Sequence, residues 1–338
     1  MPRQARIDAP GALHHIICRG IERKQLFKNN ADRDDFVERL STILSETSTP
    51  CYAWALIPNH FHLLLRTGNV PIATIMRRLL TGYAVSFNRR YDRHGHLFQN
   101  RYKSILCQED PYFLELVRYI HLNPLRADLV KSLKELDSYP YSGHSRLMKK
   151  VIDQWQDTET ILLLFEKKES IARKRYREFI EKGLAQGRRQ ELTGGGLVRS
   201  AGGWGVLKSE NRMKEHLKGD ERILGDSDFV LSVLNEAEES TERKYRFKAY
   251  GYNFESILQR VSELLKVPIK EILMPGKQPL RVKARSIAAY WAVRELGIDG
   301  TTVGEKMGLS QSAISRAVQR GEKLVLDLGY QLEKRIIS

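Results

Sequence analysis

Two periods of apolar spacing alternate along the first part of the chain. Ala12 to Cys18 is a short β-leaning apolar run that exits at Arg19-Gly20. In Asn30 to Thr47, Phe36, Leu40, Ile43 and Leu44 recur at helical spacing. Cys51 to Ile57 predicts a strand, Pro58-Asn59 a turn, and Phe61 to Leu65 a second strand. A long amphipathic helix follows, opened by Pro71 and striped by Ile72, Ile75, Leu79, Leu80, Tyr83 and Phe87. Leu97 to Cys107 predicts a fourth strand with a long approach. Asp110 is expected to cap a helix from Pro111 to about Leu122. The order β-α-β-β-α-β plus a further helix is the ferredoxin-like arrangement, an α+β fold. Its antiparallel sheet is expected to carry helices on one face and leave the other open.

Beyond this segment the pattern changes. Ser138 to Ser145, rich in Tyr, Pro, Ser and Gly, closes the first domain, expected over residues 1–148. Residues 149–250 read as a connecting region. In it, Val151 to Gly187 is helical and basic in its second half (Arg173, Lys174, Arg175, Arg177, Lys182, with Arg188 and Arg189 following). Gly194 to Gly205 holds six glycines and reads as a linker; no Gly-Lys-Ser/Thr follows, so it is not a P-loop. Gly219 to Glu239 reads as helical and acidic. From Phe254 onward the chain is helical again, forming a third region over residues 251–338.

Charge narrows the partners. Lys and Arg number 56 against 41 Asp and Glu, a formal net charge of +15 in 338 residues. That balance draws a protein to polyanions, with nucleic acid first and an anionic membrane surface as the rival. No apolar run approaches a membrane span, and Met1 to Gly20 lacks the continuous apolar segment of a signal peptide. Cys18, Cys51 and Cys107 are odd in number and far apart, which fits neither a disulfide framework nor a zinc ribbon and points to a reducing cytoplasm.

The sharpest local chemistry is Asn59-His60-Phe61-His62. Residues two apart on a strand share a face, so His60 and His62 present two imidazoles side by side while Phe61 points to the core. Paired imidazoles suit a divalent metal; the alternative is one packed and one exposed histidine. Arg101 and Lys103, also two apart, and Arg19 could hold phosphates or be ordinary surface charge. His94 and His96 form a second His-x-His, but in a polar loop setting.

The pair resembles the HUH motif of the HUH endonuclease superfamily. Trp54-Ala55-Leu56-Ile57-Pro58-Asn59, Gly95 to Lys103 and Arg118-Tyr119-Ile120-His121-Leu122-Asn123-Pro124-Leu125-Arg126-Ala127 resemble the REP-associated tyrosine transposases, a single-tyrosine branch. His15 lies in a stretch that resembles their first motif. The resemblance covers roughly residues 10 to 145. It implies that Tyr119 is the nucleophile and that His60 and His62, completed by a polar residue at Asn123, hold Mg²⁺ or Mn²⁺. The implied substrate is single-stranded or hairpin DNA from repeated palindromic elements, cut and rejoined through a 5′-phosphotyrosine in the bacterial cytoplasm, at the nucleoid.

The physics is compatible with those roles. A phenol with a pKa near 10 is a poor nucleophile at neutral pH and needs an electrophilic, positioned phosphate. Tyr112, seven residues earlier on roughly the same helix face, competes for the role, and Tyr119 could instead be a half-buried core residue. Asn123, one turn after Tyr119, could ligate through its amide oxygen or cap the helix before Pro124.

In the third region, Ala284, Ile287, Ala288, Trp291, Ala292 and Leu296 form an apolar helical stripe ending at Gly297. Thr301 to Val318 then reads as a helix, a turn at Gly308 and a second helix capped by Ser310, the outline of a helix-turn-helix. Gln311, Ser312, Ser315 and Arg316 fall where base-reading residues sit. The stretch Lys283 to Ala288 resembles the DNA-binding domain of the replication initiator DnaA, which implies duplex DNA as partner; the alternative is a helical bundle used for packing. The chain is expected to act as a monomer or homodimer. The rival functions are another HUH enzyme, such as a relaxase or replication initiator, and a non-catalytic DNA-binding regulator. Relaxases of the well-known type place the tyrosine before the histidine pair, the reverse of the order here.

Overall fold

The computed structural model describes residues 7–68, 70–151, 155–187, 189, 192–193 and 220–333. The first strand, β1 (Leu13–Arg19), is central: it pairs antiparallel with β3 (His60–Arg66) on one side and with β4 (Lys103–Cys107) on the other. β2 (Cys51–Ile57) lies outside β3, and β5 (Ile223–Leu224) lies outside β4, giving the order β2-β3-β1-β4-β5. β5 runs parallel to β4, so the sheet is not wholly antiparallel. The α+β class read from the sequence holds.

The helices divide between the two faces. α1 (Asn30–Thr47) and α2 (Ile72–Arg90) pack Phe36, Leu40, Ile75 and Leu79 against Ile16, Trp54, Phe61 and Leu63. Asn29 caps α1 by accepting from the Asp32 amide. The opposite face, expected to be open, takes α3 (Glu109–His121): Phe113, Leu116, Val117 and Ile120 cluster with Leu13, Ala53, Leu64 and Ile105. β2 is buried at every position, which requires cover on both faces. Its outer edge is capped too, where Gly143 donates to the Trp54 carbonyl and Asp157 to that of Cys51.

α3 starts one residue earlier than its expected Asp110 cap. Gln108 is the N-cap, and Glu109 and Asp110 lie inside the first turn, where the exposed amides favour acidic groups. The short helices α4 (Asn123–Arg126), α5 (Leu133–Ser138) and α6 (His144–Leu147) follow, and the expected continuous helix over Val151 to Gly187 is two, α7 (Glu159–Leu163) and α8 (Glu169–Lys182), separated by a turn at 164–168. These extend the α3-side core through Ile161, Leu162, Ala172, Tyr176 and Ile180. The first of two compact units runs to Ser232 and takes in these helices. The glycine-rich segment Gly194 to Gly205 and Arg188 lie outside the described residues. Within Gly219 to Glu239, read as all helical, Ile223–Leu224 form β5 before the helix Ser227–Ala249 begins. All three cysteines are buried free thiols, and burial pushes that of Cys18 up to about 12.

The second unit, residues 233–338, has its own core of Phe254, Ile257, Ala288, Trp291, Val303 and Ile314. The helix Gly300–Met307 ends at Gly308 in the left-handed region (φ 64°), and Ser310 caps the helix Gln311–Leu328 by accepting from the Ala313 amide. Two helices joined through Gly308 and the Ser310 cap thus lie where the sequence placed them. Gly321 lets the last helix cross Pro279–Tyr290 closely, since a Cβ there would sit 2.0 Å from the Ser286 carbonyl oxygen. Among the described residues, no helix is long and apolar enough to cross a membrane.

Candidate active site

The alternation of β1 and β3 sends Arg19, His15, His60 and His62 to the face covered by α3. Arg19 sits directly opposite His60 in the register, and Ile17 opposite His62. The imidazole centroids of His60 and His62 are 5.1 Å apart. His60 Nδ1 meets Asn59 Oδ1 at 2.7 Å; an amide oxygen only accepts, so Nδ1 carries the proton and the Nε2 lone pair is left available. His62 Nδ1 meets His15 Nε2 at 2.9 Å, with the two rings stacked. Burial, with Arg19 beside it, brings His60 down to about 4. His62, which is 3% exposed, is held well below the usual histidine range by burial and then by His15, His60 and Arg19. Both imidazoles are therefore neutral at neutral pH, as metal ligands must be.

α3 brings Tyr119 to this pair. Its ring centroid is 5.7 Å from that of His62 and 5.9 Å from that of His15, edge-on to both. Asn123 opens α4 (Asn123–Arg126), and its amide nitrogen donates to the Tyr119 carbonyl at 3.0 Å. Its role at the helix end is therefore real, while its amide oxygen remains a hard donor of the kind Mg²⁺ takes. Among the described residues no cluster of three or more His, Cys, Asp or Glu is gathered for a metal. The donor set that fits one is two neutral imidazoles and an amide.

Tyr119, His60 and Asn123 line one cavity of about 810 Å³ together with Arg19, Arg23, Gln25, Arg126 and Arg189. Among the described lining residues there are four arginines and no carboxylate, which makes a site for an anion. The other expected phosphate contacts do not join it. Lys103 donates to the Thr193 carbonyl at 2.8 Å, and Arg101 lies exposed in a bend before β4 rather than on the strand. Tyr112, the rival nucleophile, packs against the α3-side core and does not line the cavity. His94 and His96 are exposed in a loop.

Four contributors drew no site role from the residues alone. Asn59, adjacent to His60, could have been read as its hydrogen-bond partner. His15 could have been read from its strand phase, which it shares with Arg19. Arg126, seven residues after Tyr119, could have been read from helical spacing. Arg189 carries no local signal, because tertiary packing alone brings it to the cavity.

In the second unit Gln311, Ser312, Ser315 and Arg316 are all exposed on the first turns of the last helix, while Ile314, Ala317 and Val318 face inward. Arg316 also lines a cavity of about 870 Å³ with Lys277, Arg285 and Arg320.

Residues 10–123 match the family model described as "Transposase IS200 like"; they include Arg19, His60, Tyr119 and Asn123 but not Arg126, Ala127, Arg189 or Thr193 of the cavity. Among solved structures the chain resembles a REP-associated tyrosine transposase bound to a REP hairpin, at 15% identity and TM-score 0.38, over 47% of this chain and 96% of that one. It also resembles a candidate transposase from Deinococcus radiodurans r1, at 17% identity and TM-score 0.26, over 35% and 92%. No curated protein matches the chain. The segment that carries Arg19, His60, Tyr119 and Asn123 is thus similar to that transposase family.

Proposed function

We propose that the chain is a DNA transposase whose first unit cuts and rejoins single-stranded or hairpin DNA with Tyr119 as nucleophile, acting on repeated palindromic elements. One observation carries this reading: Tyr119 shares a single arginine-lined cavity with His60 and lies ring to ring with His62. His60, His62 and the Asn123 amide oxygen would hold Mg²⁺ or Mn²⁺, which when bound makes the phosphate more electrophilic. Arg19, opposite His60, draws the DNA phosphate to the same place. Tyr119 Oη attacks phosphorus, and its new O–P bond forms as the P–O3′ bond breaks. The phenolic proton passes to solvent and the departing 3′-oxygen takes one up. The products are a 5′-phosphotyrosine and a free 3′-hydroxyl. Attack by another 3′-hydroxyl reverses the step and joins strands without ATP. The α3 helix holds the tyrosine against the sheet, so the nucleophile is positioned before DNA arrives.

The second unit would bind duplex DNA through Gln311, Ser312, Ser315 and Arg316, which the exposure of all four supports. Arg316→Ala should weaken duplex binding and leave single-strand cleavage at the wild-type rate.

The test of the catalytic reading uses labelled single-stranded hairpin DNA with Mg²⁺ and a denaturing gel. Wild type and Tyr112→Phe should give a covalent protein–DNA adduct, and Tyr119→Phe none. An adduct that maps to Tyr112 overturns the choice of nucleophile. DNA binding without any adduct from wild type leaves the regulator reading.

A further inference from the structure

Among the described residues, Arg126 is the third arginine in a neighbourhood with carboxylate for two. Arg118 Nη2 donates to Glu115 Oε1 and Arg189 Nη1 to Glu115 Oε2, so this one acid serves both. Among the described residues Arg126 forms no ion pair and no side-chain hydrogen bond, and its Nη1 is buried without a partner. Burial, together with the Arg189 and Arg118 cations, pushes this guanidinium below its usual range. A partly buried charge with no counterion is costly and persists where an anion is to arrive. Its position says which anion: Cζ stands 5.4 Å over the Tyr119 ring, and the side chain lines the cavity shared with Arg19 and His60. The backbone fixes that position, since the Arg126 amide donates to the Leu122 carbonyl at 3.0 Å and Pro124 stiffens the turn between them.

We propose that Arg126 is a catalytic residue that takes a non-bridging oxygen of the scissile phosphate beside Tyr119. It then neutralises the charge that builds on phosphorus as the Tyr119 oxygen–phosphorus bond forms. This rests on the transposase reading above. A guanidinium suits the task because it stays charged and offers several donors in one plane. It serves cleavage and rejoining alike, since both pass through the same five-coordinate phosphorus.

The experiment measures covalent adduct formation by the full chain at saturating hairpin DNA with Mg²⁺, for wild type, Arg126→Gln and Arg126→Lys. Each is given a natural scissile phosphate or a scissile methylphosphonate, in which one charged non-bridging oxygen is a methyl group. On the natural substrate Arg126→Gln should lower the rate about 10²-fold, the size of losing one transition-state donor. Affinity for uncleaved DNA should change little, and Arg126→Lys should recover part of the rate. On the methylphosphonate diastereomer that slows wild type, Arg126→Gln should be no slower than wild type, because the charged oxygen it serves is gone. An Arg126→Gln penalty of equal size on both substrates overturns the proposal, as does a wild-type rate for Arg126→Gln on the natural one. Arg126→Lys guards against a folding defect, since it keeps the stem and charge; a lysine variant as slow as the glutamine variant, with an unchanged melting temperature, marks a strict need for the guanidinium fork. A wild type that forms no adduct overturns the transposase reading itself.

Discussion

Removing one hydroxyl from beneath α3 tests how firmly that helix is held. Tyr176 on α8 is fully buried, and its Oη lies 2.8 Å from His121 Nδ1 and 2.7 Å from His144 Nδ1. His144 Nε2 meets Asp137 Oδ1 at 2.9 Å, and Arg177 Nε donates to Asp137 Oδ2 at 3.0 Å. These contacts fix the protons. The Asp137 carboxylate accepts from His144 Nε2–H, so His144 Nδ1 is an acceptor and takes the Tyr176 hydroxyl proton. The Tyr176 oxygen then accepts from His121 Nδ1–H. Tyr176→Phe keeps the ring but strands an acceptor on His144 and a donor on His121. Moving the His121 proton brings no relief, because Nε2 has no hydrogen-bond partner among the described residues. At about 1–3 kcal/mol for each of the two stranded buried groups, the expected cost is ~2–6 kcal/mol. For a unit of this size that lowers the midpoint by about 4–24 °C. Scanning calorimetry of the full chain reads it, with the transition of residues 233–338 as internal reference. A shift of less than about 2 °C in the first unit would refute the network reasoning.

Three further outcomes follow from the same coordinates. His62→Ala should abolish adduct formation while sparing most DNA affinity, which phosphate contacts dominate; nicking at the wild-type rate in Mg²⁺ would remove the metal assignment. Burial lowers the folded-state pKa of His121 and His144 from 6.5, so the unfolded chain takes up protons first as pH falls. First-unit stability should be full above that value and decline below it, by up to about 1.4 kcal/mol per pH unit for each histidine; a flat melting temperature from neutral pH to about pH 5 would contradict this. Gly321→Ala should lower the second-unit transition alone, because the new methyl carbon meets the Ser286 carbonyl, and an unchanged transition would mean that the helices slide apart freely.

Local rules read the strands and crossover helices well. The periodicity of Asn30 to Thr47 and the continuous apolar run Cys51 to Ile57 coincide with α1 and β2. The His60–His62 pair was legible from strand alternation alone, and Gly308 and Ser310 from turn and cap chemistry. What escaped is long-range. No residue in α3 announces that its apolar stripe covers the supposedly open sheet face, because a helix stripe does not name its partner. Ile223–Leu224 is too short to show a period, and it pairs with β4 across more than a hundred residues. Tyr176 and Ile180 escaped for the same reason: they look like the apolar side of any amphipathic helix until they are seen packed in the α3-side core.

The central position of β1 also sets a timetable for synthesis. The first strand made can pair with β3 only once Arg66 has been added, and with β4 only once Cys107 has. Until then its edges wait unpaired, so the sheet closes late and through distant contacts. The reactive parts arrive in the same order: Arg19, then the histidines, then Tyr119 and Arg126. A chain broken off before α3 would hold His60 and His62 without Tyr119, so on the proposed reading it would lack the nucleophile.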